Sequence, residues 1–285
     1  MKLAIITDEV SQDFERVLAF ARDFALDGLE IRSVWDKGPH KLSDDEVERI
    51  GNMARQANLE ICSVAAPVFK CDLHNAAEVA EHIAILQRCT QVAESWQAPI
   101  IRVFTGWRAE DPGGEHEHIA ALFHDKLLPI VAGKSIKLGV ENESPCNAGT
   151  GTETTAFLNL LDSSQATLVY DPCNSFVLGM DDPFREDYPA VRGQIGHFHV
   201  KDAARDDGKA ECVALGDGKV GIPEHVEALR ADGYDGWVSL ETHWRMKAVL
   251  DEATHTLPGG QTFTEGAEPA SRECMRRLQS WVRGA

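Results

Sequence analysis

Four segments in the second half of the chain run as apolar strands into residues that ligate ions or move protons. KLGVENES (137 to 144) carries Glu141 and Glu143, VYDPCN (169 to 174) carries Asp171, HFHVKD (197 to 202) carries His197, His199 and Lys201, and SLETHW (239 to 244) carries Glu241 and His243. Side chains two apart on a strand share a face, so Glu141 pairs with Glu143, His197 with His199 and Lys201, and Ser239 with Glu241 and His243. One residue from each segment, namely Glu141, Asp171, His199 and Glu241, can converge if the strands are neighbours spaced roughly 4.8 Å apart. Three carboxylates in one place repel each other and lose solvation, and a divalent cation offsets both costs. Oxygen-rich ligation with a single imidazole suits manganese, magnesium, cobalt or zinc rather than a soft-metal centre. A blander reading, polar strand ends bonded to loops, fits any one of these residues but not four on successive strands.

The elements needed to position them are legible as periodicity. Apolar runs at 2–7, 28–34, 59–67, 99–106, 136–143, 166–172, 195–202 and 236–244 alternate with amphipathic stretches at 13–25, 43–57, 76–96, 115–132, 152–162, a shorter proline-interrupted region to about 193, 222–232 and 268–282. Eight such alternations predict an α/β fold, a (β/α)8 TIM barrel, spanning 1–285 as a single domain. In that fold chemistry sits at the C-terminal strand ends, where these acids fall. The long connection over 243–264 is the expected lid.

Composition narrows the partners. Lys plus Arg total 28 against 46 Asp plus Glu, a formal charge of -18, which disfavours nucleic acid and anionic membranes. The seven cysteines form no CxxC pair and are odd in number, as in a reducing cytoplasm rather than a disulfide framework. The N-terminal apolar run is too short for a signal peptide, and no stretch reaches the roughly 18 apolar residues of a membrane helix.

GVENES, YDPCNS, GHFHVKDA with the following ALGDGKVGIPEHVEAL, and DGYDGWVSLETHW together resemble the sugar phosphate isomerase/epimerase family of the xylose isomerase-like TIM-barrel superfamily, over nearly the whole chain. The resemblance implies that Glu141, Asp171, His199 and Glu241 bind one divalent metal ion, often manganese. It departs from the epimerase pattern at Asn174, where a histidine commonly stands three positions after the aspartate, so substrate contact there is expected in altered form. The DNA-repair branch of the superfamily needs extra histidines and basic loops that an acidic, single-metal chain does not offer.

The resulting expectation is a divalent-metal-dependent isomerase or epimerase acting on a sugar or polyol ketone, a small-molecule carbohydrate, through an enediolate. Glu141 and Glu241 would be acid/base groups as well as ligands. The alternative is a dehydratase or lyase on a keto-sugar or keto-inositol, in which the same enolisation expels a β-leaving group. A third reading is a sugar-binding barrel without turnover.

Several residues carry two readings each. Lys201 binds a sugar oxygen or pairs with Glu143 or Asp202; Arg102 and Glu30 bind hydroxyls or pair with each other; Trp35, Trp107 and Trp244 stack on a sugar or close loops. His197 reads as a satisfied core histidine and His243 as lining the mouth. Cys146 and Cys173 read as packing residues. In GTGTET, Thr150 with Glu153 reads as a helix cap rather than a phosphate cradle. Barrels of this kind often self-associate, but no homo-oligomer interface is readable.

Overall fold

The computed structural model describes residues 1–246, 260 and 264–284. Most of the expected lid over 243–264 therefore lies outside the described residues. Among the described residues there are ten strands: β1 (Lys2–Ile5), β2 (Gly28–Ile31), β3 (Glu60–Val68), β4 (Ile100–Val103), β5 (Lys137–Glu141), β6 (Ala166–Tyr170), β7 (Ile195–Val200), β8 (Asp202–Asp206), β9 (Lys209–Val213) and β10 (Trp237–Leu240). All but β8 and β9 form one parallel sheet in the order β1-β10-β7-β6-β5-β4-β3-β2, and a bridge between Ile6 and Glu30 brings its first and last strands together. The expected TIM barrel is thus formed and nearly closed. Among the described residues no helix is long and apolar enough to cross a membrane.

Alternation along each strand decides which side chains enter the lumen. Leu29 and Ile31, Ile101 and Val103, Leu138 and Val140, Leu168 and Tyr170, Phe198 and Val200, and Val238 and Leu240 all join the main apolar core. Their odd-step neighbours, Glu30, Arg102, Gly139, Val169, His197, His199, Ser239 and Glu141, must face the other way. Barrel lumens are usually packed with branched apolar residues. Here a small separate cluster, Ala4, Cys62 and Trp237, fills one layer, and the layers nearer the C-terminal strand ends are polar. Gly28 permits this plug, since a Cβ there would come within 2.7 Å of both the Trp237 ring and the Glu60 carbonyl.

The outer layer includes helices α1 (Phe14–Asp23), α2 (Asp44–Gln56), α3 (Ala76–Trp96), α4 (His116–Leu122), α5 (Leu128–Val131), α6 (Gly151–Leu161), α7 (Pro172–Val177), α8 (Pro183–Glu186), α9 (Tyr188–Val191), α10 (Ile222–Ala231) and α11 (Ala267–Arg283). Asp13, Ser43 and Asn75 accept the first free amides of α1, α2 and α3, and Thr150 with Glu153 forms the expected capping box of α6. The single helix expected over 115–132 is broken by a π-turn at Phe123–Leu127. Pro129, lacking an N–H, cannot extend the regular ladder through this point.

Between β7 and α10 lies the antiparallel hairpin β8–β9, register Asp202↔Val213 to Asp206↔Lys209. Its turn is Asp207–Gly208, both with positive φ (45° and 82°), the dipeptide that favours a tight hairpin.

His225 on α10 is fully buried among Tyr170, Phe184, Tyr188 and Phe198, with Nδ1 2.8 Å from the Gly221 carbonyl. Burial depresses its pKa to about 4. The unfolded imidazole takes up a proton below about pH 6.5 while the folded one does not, so folding stability falls as pH drops from about 6.5 to about 4. We expect His225→Phe to flatten the pH slope of urea-measured stability in that window, removing a loss of about 2 kcal/mol by pH 5.

Candidate metal centre

The site is assembled from strand ends whose local chemistry fixes each rotamer. Asp171 follows β6 and caps α7: its Oδ1 accepts from the amides of Cys173 (2.8 Å) and Asn174 (3.3 Å), which leaves Oδ2 facing the lumen side. Pro172 opens the helix at a position where its missing N–H costs nothing. Asn142 ties this corner to β5, giving Nδ2 to the Asp171 carbonyl and taking the Asp171 amide on Oδ1, both at 2.7 Å. Glu141 and Asp171 are therefore clamped side by side.

Glu141, Asp171, His199 and Glu241 come together as the spacing predicts. Each offers an atom within 4.8 Å of those of the other three, and all four are buried. His199 Nδ1 lies 3.0 Å from Glu141 Oε1 and 3.6 Å from Glu241 Oε2. Glu141 Oε2 and Asp171 Oδ2 are buried and accept no hydrogen bond, although Arg102 Nη1 (3.1 Å) and Lys201 Nζ (2.7 Å) stand close as counter-charges. A hard divalent cation supplies what such orphaned carboxylate oxygens lack, and the oxygen-rich donor set fits one.

The electrostatics follow from burial opposed by neighbours. Burial, with Glu241 and Glu141 nearby, lifts Asp171 to about 6 despite Lys201. Burial also penalises ionised Glu241 and Glu141, yet Lys201, His243 and Arg32 hold Glu241 well below the usual carboxylate range, and Arg102 and His199 lower Glu141. Burial disfavours the His199 imidazolium, but Glu30 and Glu141 outweigh it and carry its pKa well above the ordinary value.

The remaining expected contacts are distributed as follows. Lys201 reaches Asp171 and Glu241 (2.7 and 3.1 Å), not Glu143 or Asp202. Glu143 lies beyond the end of β5 and faces Lys70 at 3.6 Å, because the strand stops at Glu141. Arg102 pairs with Glu141 and not with Glu30. His243, in a left-handed conformation (φ 46°), places Nε2 3.2 Å from Glu241 Oε1, and burial notwithstanding Glu241 raises it to about 9. Asn174 gives Nδ2 to the Asn142 carbonyl at 2.8 Å, a bond within the site's frame. Trp107 follows β4 and is 42% exposed, while Trp35 turns to Arg49. Cys146 and Cys173 are buried free thiols.

Sequence reasoning missed a second ring of charge contributed by the segments that follow the first two strands. Arg32 is buried with Nε 2.8 Å from Asp8, Nη2 2.9 Å from Glu9 and Nη1 2.5 Å from Glu241. Arg245 adds a contact to Glu9 at 3.4 Å. The signal existed: Glu30 and Arg32 alternate with Leu29 and Ile31 in GLEIRS, and Asp8 and Glu9 come within four residues of the end of β1. Replacing Arg32 by Met strands three buried acids, and we expect it to lower stability in chemical denaturation by about 3–5 kcal/mol.

A family model described as "Xylose isomerase-like TIM barrel" matches residues 18–275. Solved structures with the same fold include D-psicose 3-epimerase in the presence of D-fructose (16% identity, 100% of each chain covered, TM-score 0.73). They also include the probable 3-DHS dehydratase AsbF of Bacillus anthracis (17% identity, 98% of this chain and 99% of that one, TM-score 0.72) and the IOLI protein with a binding zinc atom (16%, 100% and 99%, TM-score 0.73). At such identities the likeness is one of fold.

Proposed function

The chain belongs to the xylose isomerase-like TIM-barrel family, and from that premise we propose that it is a divalent-metal-dependent isomerase or epimerase of a sugar or polyol ketone. The observation that carries this reading is the convergence of Glu141, Asp171, His199 and Glu241, all buried, at the C-terminal strand ends. These four residues would hold the ion, manganese in first place and magnesium, cobalt or zinc as alternatives. When bound, it supplies a Lewis acid that polarises a carbonyl oxygen.

The chain's own groups account for proton transfer. Glu141 and Glu241 are the acid/base pair of this reading, the lowered pKa of each keeping it ionised near neutrality, as a proton acceptor must be. They stand on β5 and just beyond β10, separated in the barrel by β6 and β7, so they can approach a bound ketose from different sides, as inversion at a carbon requires. Lys201 and His243, on the Glu241 side, can donate hydrogen bonds to substrate oxygens, and Arg102 can do so beside Glu141. Trp107 offers an exposed ring after β4, and Asn174 shapes the Asp171 corner.

A panel of ketoses with Mn²⁺ in deuterated water tests the proposal. Solvent deuterium should enter the carbon next to the carbonyl, EDTA should abolish incorporation, and Glu141→Gln should reduce it at least about a hundredfold, as expected for a removed general base. No exchange across the panel in metal-loaded protein sinks the reading. The elimination alternative draws support from the likeness to a probable dehydratase. Loss of water or aglycone, read by mass spectrometry, would decide for it.

A further inference from the structure

One layer below the ligand cluster, Glu30 and His197 are fully buried inside the barrel. Glu30 Oε2 lies 2.9 Å from His197 Nε2 and 3.0 Å from His199 Nε2, while Glu30 Oε1 and His197 Nδ1 meet no hydrogen-bond partner among the described residues. An ionised carboxylate has no hydrogen to give. Each imidazole must then carry a hydrogen on Nε2, and the Nδ1 of His197 is left without a partner.

For His199 the consequence reaches the site. Once the ring has given up its second proton, as a metal ligand must, hydrogen on Nε2 leaves the Nδ1 lone pair among Glu141 and Glu241, 3.0 and 3.6 Å away. The competing tautomer would put hydrogen on Nδ1, donate it to Glu141 Oε1, and leave its lone pair on Nε2, facing Glu30 and not the four-residue site. Glu141 favours that competitor and Glu30 opposes it. Resting on the reading that these four residues hold a divalent ion, we propose that Glu30 is a positioning residue that fixes His199 as its Nε2–H tautomer and so makes Nδ1 a metal ligand. His197, donating to the same oxygen, keeps Oε2 rather than Oε1 turned toward His199. Partners of this kind, on the far nitrogen of a ligating histidine, typically contribute tenfold to a hundredfold in metal affinity.

The test uses the full-length chain and Zn²⁺ or Mn²⁺ alone, titrated against a competing chelator. Wild type should take up one ion, and Glu30→Gln, whose carboxamide can donate as well as accept, should bind about tenfold to a hundredfold more weakly, with Glu30→Asp recovering part of the loss. A purely packing role would not move the second readout, the imidazole ¹⁵N resonances of Zn²⁺-loaded protein, where His199 should show hydrogen on Nε2 and metal on Nδ1. Equal affinity of Glu30→Gln and wild type overturns the proposal, as does hydrogen on Nδ1 of His199 in Zn²⁺-loaded wild type, a measurement that needs no variant. Saturation of wild type at two ions and of Glu30→Gln at one overturns it too, since Glu30, His197 and His199 would then themselves be ligands. Wild type that binds no ion takes down the underlying reading, a result separable from failure of the Glu30 step alone.

Discussion

The whole arrangement depends on keeping carboxylates ionised inside a barrel lumen. Moving a carboxylate out of water costs several kcal/mol even after relaxation, and the cost is offset only by close, well-oriented opposite charge. Every acid in the site has such a neighbour: Arg102 for Glu141, Lys201 for Asp171, Lys201, His243 and Arg32 for Glu241, and Arg32 for Asp8 and Glu9. Arg102–Glu141 and Lys201–Asp171 join neighbouring strands, but Arg32 reaches Glu241 from the opposite end of the strand order, so that pair forms only when the barrel is nearly closed. Fold and charge balance are for this reason one problem.

Within that balance the two candidate acid/base glutamates are not equivalent. Both oxygens of Glu241 accept hydrogen bonds, Oε1 from Arg32 and Oε2 from Lys201. Glu141 keeps Oε2 without a hydrogen bond. The freer oxygen belongs to the group whose basicity is the less suppressed.

The barrel and its four-residue cluster were legible in the sequence because each rests on a short-range regularity: the change of period between strand and helix, and alternation within KLGVE and HFHVK. Glu143 was misplaced because alternation does not reveal where a strand ends, and β5 stops two residues earlier. Of the two readings of Lys201, the ion pair is present, with Asp171 and Glu241 in place of Glu143 or Asp202. Glu30 lies on β2, Arg32 just after it, and Asp8 and Glu9 in the turn after β1, all far away in sequence, and their importance appears only once closure sets β2 across the lumen from β7. The β8–β9 hairpin had a readable Asp–Gly turn, but its flanking strands are short and polar, so the period-two signal was weak. The lid assigned to 243–264 falls largely outside the described residues.

Asp202 stands next to Lys201 and accepts four backbone amides, from Ala203, Gly216, Gly218 and Val220. Gly218 has no alternative there, since a Cβ would approach Asp202 Oδ1 to 2.1 Å and the Ala203 carbonyl to 2.5 Å. The segment that returns from the hairpin is thus stitched to the residue adjoining the lysine that bridges Asp171 and Glu241. A sequence change on the outer surface of that returning segment has a mechanical route, one peptide bond long at its last step, to the charge balance at the barrel's centre.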